Sequence, residues 1–207
     1  MTTPASPAAD PASAFPPPSH PRLIVPRRFA DQRGWFCETW NAARLAGQGL
    51  DVAFVQDNQS WSARRGTVRG LHFQVPPHAQ GKLVRAVRGR ILDVAVDIRR
   101  GSPTYGRFVA VELTAAGGEQ LWVPVGYAHG FCTLEDDCEV AYKVTDFYAP
   151  ATEAGLAFDD PALAIPWPVA PGEASLSDKD TRYGGLAGFE SPFAYDGVPL
   201  RPELVTP

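Results

Sequence analysis

From residue 52 to residue 145 the chain is a succession of short β-type runs separated by turn signals. This pattern limits the fold more than any other feature. The runs fall at 52–56, 67–74, 82–88, 90–98, 107–114, 120–124, 130–134 and 138–145. Between them stand Arg88-Gly89, Gly101-Ser102-Pro103, Gly117-Gly118 and Asp136-Asp137. Alternation with a period of two is plain in two runs. Leu92, Val94, Val96 and Ile98 share one face of 90–98, and Cys138, Val140, Tyr142 and Val144 share one face of 138–145. The 21 prolines and 19 glycines among 207 residues suit many short elements better than long helices. The expected fold is all-β, an antiparallel sandwich or jelly roll. An aromatic run at 35–40 adds a strand. Asn41 is placed to cap a short helix through about Ala46, which Gly47 and Gly49 end.

The flanks read differently. Residues 1–20 are rich in Pro, Ala and Ser and poor in large apolar side chains, so a disordered tail is expected there. The domain is expected to span 21–189. Its irregular, aromatic later part, with Phe158, Trp167 and the run Ser177-Asp178-Lys179-Asp180, is expected to wrap the sandwich. Residues 190–207 are expected to form a loosely packed C-terminal extension. No apolar run approaches the ~20 residues of a membrane span, and the N-terminus lacks the basic start and apolar core of a secretory signal. Cys37, Cys132 and Cys138 have no metal-type spacing and read as small core residues in a reducing compartment, so a cytoplasmic location is expected. A net charge of −4 gives no general pull toward nucleic acid or anionic membrane. Yet residues 64–107 carry ten Lys/Arg against only Asp93 and Asp97. That bias suits a small anionic ligand, or else a solvated strand face.

The candidate chemistry centres on the run from Gly66 to Gln74. His72 stands alone among apolar residues, and Gln74 occupies the position where a His-x-His metal pair would place its second ligand. Nothing in the spacing of His78 and His129 supports a metal site. His72 is either a general base held by a carboxylate or a core histidine satisfied by backbone. Tyr142 either packs or delivers a proton, since a phenol stays neutral to high pH. Arg69 and Lys82 suit phosphate oxygens. Strict alternation puts Arg69 on the face opposite His72, so both reach one ligand only if Gly70 bends the strand. Gln56-Asp57-Asn58 either reads a heterocyclic base or makes a turn.

Taken together, these stretches resemble the dTDP-4-dehydrorhamnose 3,5-epimerase family of nucleotide-sugar enzymes. The resemblance rests on Asp31-Gln32-Arg33-Gly34-Trp35-Phe36-Cys37-Glu38, Phe54-Val55-Gln56-Asp57-Asn58, Val68-Arg69-Gly70-Leu71-His72-Phe73-Gln74 and Gln80-Gly81-Lys82-Leu83-Val84-Arg85. It continues through Asp93 to Arg99, Gly126-Tyr127-Ala128-His129-Gly130-Phe131, Tyr142-Lys143, Tyr148-Ala149-Pro150, Phe158-Asp159-Asp160-Pro161 and Ser177-Asp178-Lys179-Asp180. These runs lie in order over about residues 22–185.

The resemblance implies a cupin-type jelly roll that works as a homodimer without metal or redox cofactor on dTDP-4-dehydro-6-deoxy-D-glucose. It implies His72 as general base, Asp180 as its orienting carboxylate, Tyr142 as the acid on the opposite face, and Lys82 beside the developing enolate oxygen. It implies substrate binding by Arg33, Glu38, Gln56, Asp57, Asn58, Arg69, His129, Glu153 and Lys179, with Tyr148 stacked on thymine. Departures are the Pro/Ala tail and Gln59, which stands where many members carry His. They leave open a mono-epimerase acting at C3 or C5 alone. A 3,4-ketoisomerase and a non-catalytic sensor are the other readings.

Overall fold

The computed structural model describes residues 19–200. The expected N-terminal tail lies outside the described residues as far as residue 18. Ser19 is held, because its carbonyl accepts from Arg99 Nη1 at 3.0 Å.

Two five-stranded antiparallel sheets form the sandwich. The first runs β1 (Arg22–Ile24), β9 (Gln120–Val123), β6 (Lys82–Arg88), β11 (Cys138–Val144), β4 (Gln56–Ser62). The second runs β12 (Glu153–Gly155), β5 (Val68–Gln74), β10 (Tyr127–Thr133), β7 (Arg90–Asp97), β8 (Phe108–Thr114). A separate hairpin pairs β2 (Arg28–Asp31) with β3 (Gly34–Cys37). The helix α1 (Ala42–Gly47) starts as expected, with the Asn41 side chain accepting from Arg44 N at 3.0 Å. No helix of the described residues is long and apolar enough to cross a membrane.

Side chains from both sheets meet in the interior. Val84, Leu121 and Val140 of the first sheet pack with Ile91, Ala95, Val109 and Leu113 of the second. The other face of β7, carrying Val94 and Val96, is also buried. It lies under Leu156, Leu163 and Phe193 of the C-terminal segment, continuous with Ile98. The expected wrap is therefore present, and it covers the outer face of the second sheet.

The wrap extends further than the sequence suggested. Residues 190–200 do not form a loose extension. Phe193 is 7% exposed and packs edge-on against Phe73, and Leu200, 5% exposed, joins the inter-sheet core. Burying a side chain such as Phe193 is worth about 1.5–3 kcal/mol. The same segment is pinned by a buried ion network. Arg99, 2% exposed, pairs with Asp97 through Nη2 at 2.8 Å and with Asp196 through Nη1 at 2.9 Å, and donates to Tyr127 Oη at 2.6 Å.

One strand lies further along the chain than expected. The run 52–56 is irregular apart from its last residue, and β4 starts at Gln56 and continues to Ser62. Its polar residues still alternate, but Gln56, Asn58 and Ser60 face a polar cavity in place of an apolar core.

Candidate active site

A cavity of about 810 Å³ opens between the two sheets. The first sheet contributes Gln56, Asn58, Lys82 and Tyr142 to its wall, and the second contributes His72, Gln74 and His129. Ser177, Lys179 and Asp180 of the wrap close one side.

Gly70 decides how β5 meets this cavity. His72 lies opposite His129 and Arg69 opposite Phe131, so β5 advances three residues against two on β10. This is a bulge with one extra residue on β5. Gly70 has φ +133°, and a Cβ there would sit 2.5 Å from Gly130 Cα. Only glycine fits both the dihedral and the close approach. The bulge resets the alternation, and both Arg69 and His72 line the cavity. Arg69 is steadied by Nη2 donating to Trp61 O at 2.9 Å and Nε donating to Ser62 Oγ at 3.2 Å.

His72 Nε2 makes a short contact with Asp180 Oδ1. The other carboxylate oxygen of Asp180 accepts from Ser177 Oγ at 2.8 Å. Burial pushes the Asp180 carboxyl up, but its bonds to His72 and Ser177 outweigh this and hold it below the ordinary carboxylate value. Burial lowers the His72 imidazole, and Asp180 only partly opposes that. His72 is therefore a neutral imidazole near pH 7, gripped at Nε2, with Nδ1 as the nitrogen not engaged by the carboxylate. The Tyr183 ring meets the His72 ring edge-on at a centroid distance of 5.7 Å.

Lys82 is buried and donates from Nζ to His72 O at 3.2 Å. Burial lowers its ammonium to about 8, against the opposing charges of Asp93 and Glu153. His129 bonds through Nε2 to Asp93 Oδ1 at 2.8 Å. Tyr142 is half-buried, and burial raises its phenol, with Arg69 and Lys179 opposing. It stands on the sheet opposite His72, so the two groups reach the cavity from facing walls. At the rim, Tyr148 Oη donates to Glu153 Oε2 at 3.1 Å, and Lys179 Nζ pairs with Glu153 Oε1 at 2.6 Å. Among the described residues, no group of three or more His, Cys, Asp or Glu is placed to hold a metal ion.

Three expected contact residues line no part of this cavity. Arg33 is on the turn between β2 and β3, its side chain 84% exposed and paired with Asp31 at 2.6 Å. Glu38 bonds Asn41 Nδ2 at 3.1 Å and pairs with Arg44 at the start of α1. Asp57 points out of the opposite face of β4 and pairs with Lys143 at 2.5 Å. Sequence reasoning in turn missed Ser177, Tyr183 and Asp93. The signal for Asp93 was there, since a carboxylate within an apolar strand needs an interior partner.

An antiparallel jelly roll that gathers a histidine–carboxylate pair, a buried lysine and a tyrosine around one interior cavity is a cupin-type fold whose cavity groups can exchange protons. The family model described as dTDP-4-dehydrorhamnose 3,5-epimerase matches residues 20–187, and the chain belongs to that family. A dTDP-4-dehydrorhamnose 3,5-epimerase of Sinorhizobium fredii is 51% identical over 174 residues, covering 84% of this chain and 89% of the relative. Among solved structures, the dTDP-6-deoxy-D-glucose-3,5-epimerase of Legionella pneumophila in complex with dTDP-4-keto-L-rhamnose aligns with a TM-score of 0.81 at 41% identity, over 86% of this chain and 94% of that one. The Bacillus anthracis dTDP-4-dehydrorhamnose 3,5-epimerase with TDP and PPi bound aligns with a TM-score of 0.78 at 46% identity, over 80% and 94%.

Proposed function

We propose that this chain is an isomerase that epimerises dTDP-4-dehydro-6-deoxy-D-glucose at C3 and C5, giving dTDP-4-dehydro-L-rhamnose for deoxysugar synthesis. The observation that carries the reading is the placement of His72 with Asp180 on one wall of the cavity and Tyr142 on the facing wall. The C4 ketone acidifies the hydrogens on C3 and C5, because loss of either leaves an enolate. Neutral His72 takes the proton, and Asp180 stabilises the imidazolium that forms. Lys82, buried in the cavity wall and as an ammonium, offsets the charge growing on the C4 oxygen. Tyr142 then gives its phenolic proton to the opposite face of the carbanion carbon, which inverts that centre. The imidazolium and phenolate return to their starting states by exchange with water, and the sequence repeats at the second carbon. The scheme needs no metal or redox cofactor, since the ketone itself supplies the electron sink.

The remaining groups suit the nucleotide half. Arg69 presents a guanidinium for diphosphate oxygens, Tyr148 offers a ring for thymine, and Gln56, Asn58, His129, Glu153 and Lys179 add polar contacts. A homodimer accounts for Arg33 and Glu38. They flank β3, whose Trp35 and Phe36 are 58% and 68% exposed, so a second copy would both cover these rings and receive the two polar residues at its own cavity. The three unpaired thiols suit a reducing cytoplasm.

The test is incubation of the 4-ketosugar with the chain in D2O, followed by reduction and NMR of the product. Deuterium at both C3 and C5 is the expected result. Deuterium at one carbon would instead make the chain a mono-epimerase, and a carbonyl moved to C3 would make it a ketoisomerase.

A further inference from the structure

Gln74 is the residue of the β5 motif that the proposed chemistry leaves unused. It stands two positions after His72 and is almost fully buried. Its amide is not idle. Nε2 donates to His78 O at 2.6 Å and to Phe147 O at 3.2 Å, and Oε1 accepts from Ala149 N at 2.8 Å. Phe147 and Ala149 flank Tyr148 on either side. Tyr148 N itself donates to Gln56 Oε1 at 2.9 Å. The backbone from 147 to 149 is thus anchored at three successive residues by two glutamine side chains. Tyr148 needs such anchoring, because its ring is 53% exposed at the cavity rim and Phe147 beside it is 62% exposed. The ring is tethered at its tip by Oη donating to Glu153, and the anchored backbone fixes its other end.

We propose that Gln74 is a positioning residue for nucleotide binding, which presets the Tyr148 ring by tying down the chain on both sides of it. This deepens the nucleotide-sugar reading above and rests on it. Where a His at this position would turn a strand toward metal binding, a primary amide knits two loops together. Its two donors and one acceptor match the groups those loops present, and leaving such groups unpaired in a buried site is costly. A preset ring binds its ligand without losing freedom at that step, so the benefit appears in affinity.

The test uses Gln74→Met, which keeps length and removes every hydrogen bond, with dTDP as the probe in calorimetry and the 4-ketosugar for turnover. Gln74→Met is expected to weaken dTDP binding about 10- to 100-fold and to raise KM similarly, with kcat within about threefold of the parent chain. In a Tyr148→Ala background the same change is expected to cost no more than about twofold in dTDP affinity, because the ring it acts through is gone. Should Gln74→Met not fold, Gln74→Leu carries the same test, since it too removes both donors and the acceptor without adding charge. Parent-like dTDP affinity in the folded variant overturns the proposal. So does a fall in kcat without a change in affinity, or a full additive loss on top of Tyr148→Ala. Failure of the parent chain to bind dTDP at all overturns the nucleotide-sugar reading itself.

Discussion

Gly70→Ala is the sharpest perturbation available without touching a group that meets substrate. The new methyl would sit 2.5 Å from Gly130 Cα and 2.8 Å from His129 O, where ordinary contact begins at 3.4 Å. Both obstacles are backbone atoms of β10, so no side chain can swing aside. The strands must part by the better part of an ångström, an overpacking cost of about 1–3 kcal/mol. The φ of +133° adds strain for any L side chain, of order 1–3 kcal/mol. Together these amount to about 2–6 kcal/mol, against a typical domain stability of about 5–15 kcal/mol. Urea denaturation followed by tryptophan fluorescence measures the loss. Activity of the folded fraction is expected to fall as well, because parting β5 from β10 moves His72 relative to the facing wall. A variant within about 0.5 kcal/mol of the parent chain, with unchanged turnover, would refute the claim that this bulge sets the site.

Other outcomes follow from the same geometry. The pH profile of kcat/KM is expected to be a bell. Its acid limb falls as His72 gains a proton, below the ordinary 6.5 because burial lowers that group, and its alkaline limb falls as Lys82 loses its charge near 8; a profile flat through pH 8–9 would contradict the role of Lys82. Asp180→Asn is expected to cut kcat by about 10²-fold or more while dTDP affinity holds, as read by turnover and calorimetry on one preparation. Asp97→Ala leaves the buried Arg99 without its closest carboxylate and is expected to destabilise the fold by about 3–5 kcal/mol in thermal or urea melts, far from the cavity.

Much of this architecture is legible in the sequence wherever strand alternation sets apolar residues against polar ones. β7 and β11 fall where period-two patterning puts them, and β6 and β8 where short β-type runs between turn signals put them. β4 escapes the pattern because its inward side chains, Gln56, Asn58 and Ser60, meet a polar cavity, so the usual contrast between faces is absent. The Gly70 bulge is readable in outline, since glycine inside a strand invites one, but only the register against β10 shows that it brings Arg69 and His72 to one cavity. The pairing of His72 with Asp180 spans 108 residues. No local pattern encodes a contact across that separation, and only family resemblance points to Asp180. The reverse holds for Arg33, Glu38 and Asp57. Family resemblance names them, yet the hairpin, the helix start and the outward face of β4 keep them from this chain's own cavity. Phe193 and Leu200 lie in a Pro- and Gly-rich stretch with no periodicity to announce burial, and only the uncovered face of β7 and the sandwich core explain where they go.

The proposed chemistry stands on His72, held by Asp180, removing the protons next to the C4 ketone. Its most direct test is NMR of the 4-ketosugar in D2O with His72→Ala, alongside calorimetry with dTDP. Exchange at C3 and C5 is expected to fall together, by at least about 10²-fold, while dTDP binds as it does to the parent chain. Exchange persisting at either carbon at the parent rate would show that another group is the base.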